Sequence, residues 1–96
     1  MEKRAVSWKV SAVKALNDIE KAIALDKPDT AVKFGIELRN VGKALGDFSN
    51  FAPCRFIRFK EKGFFCYPYR LHYVFVYRVT DTPIIILDII HTSRLK

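Results

Sequence analysis

The chain has 96 residues, half of them hydrophobic, with 17 Lys+Arg against 10 Asp+Glu for a formal net charge of +7. That length makes one domain, and that apolar content excludes an intrinsically disordered chain. The charge points to an acidic partner, whether nucleic acid, an acidic protein segment or a membrane surface. No apolar run approaches the roughly 18–20 residues of a spanning helix, and no h-region follows the basic Met1–Arg4, so neither a membrane span nor a signal peptide is expected.

Residues Arg4 to Trp8 can form a short first strand. From about Val10 to Leu25 the apolar spacing is helical, with Ala12, Leu16, Ile19 and Ile23 on one stripe. Ser11 is a candidate cap for this helix, and Ser7 a second. Pro28 disfavours helical geometry at Lys27 and suits the first turn of a new helix. Asp29 then sits near the positive end of that helix. The second helix runs to about Leu45 on the stripe Ala31, Phe34, Leu38, Val41 and Leu45, with Gly46 as its stop. So short a link makes the pair an antiparallel hairpin with a single apolar side.

Asp47 to Pro53 reads as loop. An irregular strand or hairpin is expected between about 54 and 69, with a turn at Glu61–Gly63. Pro68 argues against a central strand there. The long hairpin follows. In Leu71–Val79 the odd-numbered residues point one way and His72, Val74, Val76 and Arg78 the other. Thr80–Pro83 is turn chemistry, and Ile84–His91 is apolar on both faces, as in a central strand covered twice. Asp88 is the one acid in that run, and Arg78 on the neighbouring strand is its expected partner, because an unpaired carboxylate among isoleucines is costly. The resulting fold class is α+β, an α-hairpin packed on a small twisted, mainly antiparallel sheet in the order β-α-α-β(β)-β-β.

Cys54 and Cys66 show no C-x-x-C spacing and make no framework. They read as reduced packing residues of a cytoplasmic protein, with a disulfide between them as the alternative. His72 and His91 are far apart in the chain. No Cys or acid completes a ligand set with them, so no metal site and no cofactor are expected.

The chain resembles the RelE/ParE superfamily of bacterial toxins over nearly its whole length, and within it the ParE branch. The resemblance rests on Trp8, Ala12, Leu16 and Ile19 in the first helix, and on Lys27-Pro28-Asp29 with Ala31 and Phe34 at the helix junction. It continues in Pro68-Tyr69-Arg70 and His72-Tyr73-Val74-Phe75, and in Ile85–His91 with Arg94. It implies one toxin domain over residues 1–96 and a cognate antitoxin, usually with a DNA-binding domain of its own. It also implies DNA gyrase as the target, poisoned by protein–protein contact, with no small-molecule substrate and no membrane partner. The other branch of the superfamily cuts mRNA on the ribosome.

Such a nuclease needs a base, an acid and cations for the developing phosphorane charge. His91 with Arg70 and Arg94 would supply them here. The C-terminal Tyr of the nuclease branch is missing, and Asp47 and Glu61, the only acids between the second helix and Asp81, lie in loops. A packing role for His91 is therefore favoured over catalysis. Arg55, Arg58, Arg70, Arg78, Arg94 and Lys96 cluster in the acid-poor C-terminal half and read as a basic surface for a partner. The aromatic group Phe56, Phe59, Phe64, Phe65, Tyr67 and Tyr69 reads as core, with an exposed subset as an antitoxin-docking patch. Charge alone also allows a plain nucleic-acid-binding module.

Overall fold

The computed structural model describes residues 5–47, 54, 59, 61–69, 72–81 and 83–92. Strand β1 (Val6–Trp8) leads through Lys9 into helix α1 (Val10–Ala24), and helix α2 (Pro28–Ala44) follows. A 3-10 turn (Leu45–Asp47) continues α2, and the strands β2 (Phe65–Tyr69), β3 (Tyr73–Val79) and β4 (Ile84–His91) complete the fold. The four strands form one sheet in the order β1-β4-β3-β2. β1 runs parallel to β4, and the other two pairings are antiparallel.

This order explains two sequence features. β4 lies inside the sheet, flanked by β1 and β3, and its isoleucines are covered on both faces. β2 is an edge strand, so Pro68 removes no ladder donor that the sheet needs. The alternation of β3 holds as expected. Tyr73, Phe75 and Tyr77 face the helices, while Val74 and Val76 belong to a second cluster on the other face.

On the helical side Ala12 and Leu16 of α1, Leu38 of α2 and Leu45 close over Phe75, Tyr77, Ile84, Ile86 and Ile89. Both expected stripes therefore supply the core. Burial pushes the Tyr77 phenol above its ordinary pKa, because the phenolate would lose its water. Pro28 stands in the first turn of α2 and Asp29 beside it, as the sequence implies.

Three local expectations change. Neither serine caps α1. Lys9 takes the cap position without a side-chain bond, and Ser11 instead donates its hydroxyl to the Leu87 carbonyl at 2.7 Å. Gly46 does not stop α2 in a left-handed turn. Leu45 leaves the helix right-handed and the chain tightens into the 3-10 turn. The third change is on β4. The β3–β4 register steps from Val76 opposite Asp88 to Tyr77 opposite Ile86, so Leu87 is the extra residue of a β-bulge. The bulge keeps Ile84 and Ile86 in phase with Ile89 on the helix side and turns Leu87 to the other face. Asp88 lies opposite Val76 and Arg78 opposite Ile85, and Arg78 and Asp88 form no ion pair. Asp88 Oδ1 accepts the backbone N–H of Ile89 at 2.8 Å.

Cys54 and Cys66 are joined by a disulfide, with Cα atoms 4.8 Å apart. This overturns the reduced reading. The left-handed turn at Gly63 precedes β2, and the bond from Cys54 N–H to the Phe64 carbonyl sets Cys54 beside the start of that strand. Two cysteines with no recognisable spacing thereby meet on the sheet face away from the helices.

Candidate functional site

Of the residues expected to form a basic surface, Arg78 is exposed near the end of β3. Arg55, Arg58, Arg70, Arg94 and Lys96 lie outside the described residues, as does Phe56. The rest of the aromatic group divides by face. Phe65, Tyr67 and Tyr69 pack against the helix-side core, and Phe59 and Phe64 against the disulfide cluster.

His91 ends β4, opposite Tyr73 of β3. Its ring meets Tyr73 edge-on, with centroids 5.2 Å apart, and lies 5.9 Å from the nearly parallel ring of His72. The chain continues from His91 into a bond from Thr92 N–H to the His72 carbonyl, 2.8 Å long. On the other side of Tyr73 the Phe34 ring stands 5.4 Å away and leads on to Tyr69 at 5.9 Å. The Tyr69 hydroxyl donates to the Glu37 carboxylate of α2. A row of rings thus ties α2 to one end of the sheet and finishes at the two histidines. Sequence separation hid that pairing. The signal for it was the register of the hairpin, which places position 72 beside position 92.

A cleft of about 580 Å³ opens beside His91, between α1 and the end of β4. Lys14 and Asp18 line it from the helix and Tyr73 and His91 from the sheet. Among the described residues no three His, Cys, Asp or Glu side chains gather into a metal-binding set.

A second cleft, of about 850 Å³, lies against β1, the edge strand next to β4. Its floor is Val6, Trp8, Val13 and Leu16, and Arg39 and Lys43 of α2 stand over it. Arg39 donates to Glu20 of α1 at 2.9 Å and is half exposed, so the pair is a screened surface contact that holds the two helices in register. Gly42 lets α2 approach this floor, because a Cβ there would run into the Trp8 ring. The basic lip of this cleft comes from α2, whereas the sequence directs attention to the arginines of the C-terminal half. Arg39 and Lys43 sit one helical turn apart, on the side of α2 that meets β1.

The match to known proteins follows this geometry. Residues 6–96 match the family described as the ParE toxin of the type II toxin-antitoxin system, parDE. The chain belongs to this family. It is also similar to a solved structure described as the chromosomal ParDE toxin–antitoxin system from P. aeruginosa, with a TM-score of 0.77 and 20% identity over 93% of this chain and 96% of that one. At that identity the likeness speaks for the fold, which is the ParE arrangement of two helices on a four-stranded mixed sheet. No curated protein matches the chain. No helix among the described residues is long and apolar enough to cross a membrane.

Proposed function

We propose that this ParE-family toxin inhibits DNA gyrase by protein–protein contact, trapping cleaved DNA, and that a cognate antitoxin neutralises it. The reading rests on the family match across residues 6–96. It is supported by the setting of His91, whose ring is engaged by Tyr73 and His72 at a strand end, as a packing residue would be. Gyrase action implies the cytoplasm as the place of work. The antitoxin carries its own DNA-binding domain, and its acidic segment docks in the cleft at β1. There an apolar floor around Trp8 lies under the exposed Lys43, beside Arg39 in its pair with Glu20, which complements an amphipathic acidic chain.

Purified gyrase tests this directly. Supercoiling should fall, and cleaved DNA accumulate, as the protein is added, and His91→Ala should inhibit like the wild type. Full supercoiling at excess protein would sink the gyrase reading. Codon-positioned mRNA cuts in a translating extract, lost in His91→Ala, would put the ribosomal endonuclease in its place.

A further inference from the structure

We propose that His72 and His91 together bind a divalent metal ion of the imidazole-preferring class, such as zinc or nickel. The inference does not depend on the target of the toxin.

The two side chains meet at one end of the sheet. Tyr73 and His91 are register partners in the β3–β4 ladder, and Thr92 N–H bonds the His72 carbonyl at 2.8 Å. Both imidazoles therefore leave the chain at the same end of the sheet. Their ring centroids are 5.9 Å apart and their planes differ by 17°. A ring nitrogen holds such an ion at about 2.0–2.1 Å, which puts the ion about 3.2 Å from the ring centroid. Two rings sharing one ion then have centroids about 5.2 Å apart in tetrahedral geometry and about 6.4 Å apart when the ligands oppose each other. The observed separation falls inside that window.

The surroundings favour such an ion. His72 is exposed and gives it a way in, while the edge-on Tyr73 ring steadies His91. Imidazole is a ligand for zinc, nickel and copper, whereas calcium and magnesium take oxygen ligands. The described residues supply two nitrogens, so the ion is expected to exchange rather than act as a structural staple.

Zinc or nickel chloride titrated into the untagged full chain tests the site by calorimetry and thermal unfolding. The expected result is one ion per chain, with a rise in Tm that EDTA reverses. Removing either ligand should weaken binding about tenfold or more, in His72→Ala and in His91→Gln alike. His72 is exposed, so its variant keeps the fold and remains a fair test if His91→Gln does not. Unchanged affinity in His72→Ala, or no binding by the wild type, overturns the proposal. So does binding that disappears in Cys54→Ser/Cys66→Ser and persists in His72→Ala.

Discussion

The two faces of the sheet are covered by different means. On one, two amphipathic helices lay regular stripes over Phe75, Tyr77, Ile84 and Ile86, all of them fully buried. On the other, Val74 and Val76 are buried under Cys54, Phe59 and Phe64, with Cys54 tied to edge strand β2 by the disulfide. The helical face draws its stability from apolar area, spread over many residues. Among the described residues the second cluster is smaller, and one covalent link ties Cys54 into it. A helix brings its own backbone hydrogen bonds to the surface it covers, whereas Cys54 is anchored over the second face by its link to Cys66 and its N–H bond to the Phe64 carbonyl.

Removing the centre of each face should expose that difference. Phe75→Ala takes the middle of β3 out of the helical core and should cost about 3–5 kcal/mol, a large part of the stability of a domain this small. Urea unfolding with an unchanged m-value would measure it. A loss below about 1 kcal/mol would show that the helical face is not the main core. On the other face the disulfide closes a short loop, with a sequence separation of 12. Breaking it in Cys54→Ser/Cys66→Ser should cost about 3 kcal/mol. A thiol reductant should lower the Tm of the wild type and leave that of the double variant unchanged. If reduction does nothing to the wild type, the second face holds without its link and the contrast between the faces fails.

The same contrast decides what could be read from the sequence. The stripes Ala12–Leu16–Ile19 and Ala31–Phe34–Leu38 announce the α-hairpin, and the alternation in Tyr73–Val79 announces β3 and both of its faces. Each is a local period, and local periods survive in a linear sequence. The disulfide, the β-bulge at Leu87 and the His72–His91 pair are products of register. They depend on which residue lies opposite which, and nothing within a few positions of Cys54 or His72 carries that information. Asp88 shows the consequence. Its place on the strand next to Arg78 invites a pair, but the register sets Asp88 opposite Val76, and the carboxylate accepts the Ile89 N–H. The candidate site was legible in part for the same reason. His91 stands out as a strand-end histidine, while Arg39 and Lys43 become the lip of a cleft only when α2 is packed beside Trp8.

The close approach of α2 to β1 sharpens the picture of the helical face. A Cβ at Gly42 would overlap the Trp8 ring and lie 3.0 Å from Ile86 Cδ1. Alanine would gain about 1 kcal/mol of helix propensity at this position, but the overlap should cost about 1–3 kcal/mol. Gly42→Ala is therefore expected to be destabilising by about 1 kcal/mol, with a red-shifted Trp8 emission as the ring is displaced into water. A stabilised Gly42→Ala would mean that the Trp8 ring moves aside freely and that the helical face is looser than its burial implies.

The smallest expected effect lies where the helical face meets the bulge. The Ser11 hydroxyl reaches from the first turn of α1 to the Leu87 carbonyl, the extra residue of β4. A bulge disrupts the ladder locally, and this side chain supplies a donor at that point. The bond is exposed, so water can replace the hydroxyl. Its loss should cost only about 0.5–1 kcal/mol, and alanine's higher helix propensity offsets part of that. Ser11→Ala should therefore barely move the Tm. Its effect should instead be local, as faster amide exchange in β4 around Leu87 with the rest of the sheet unchanged. Unchanged exchange there would show that the bulge is held by strand packing alone and that α1 only rests on it.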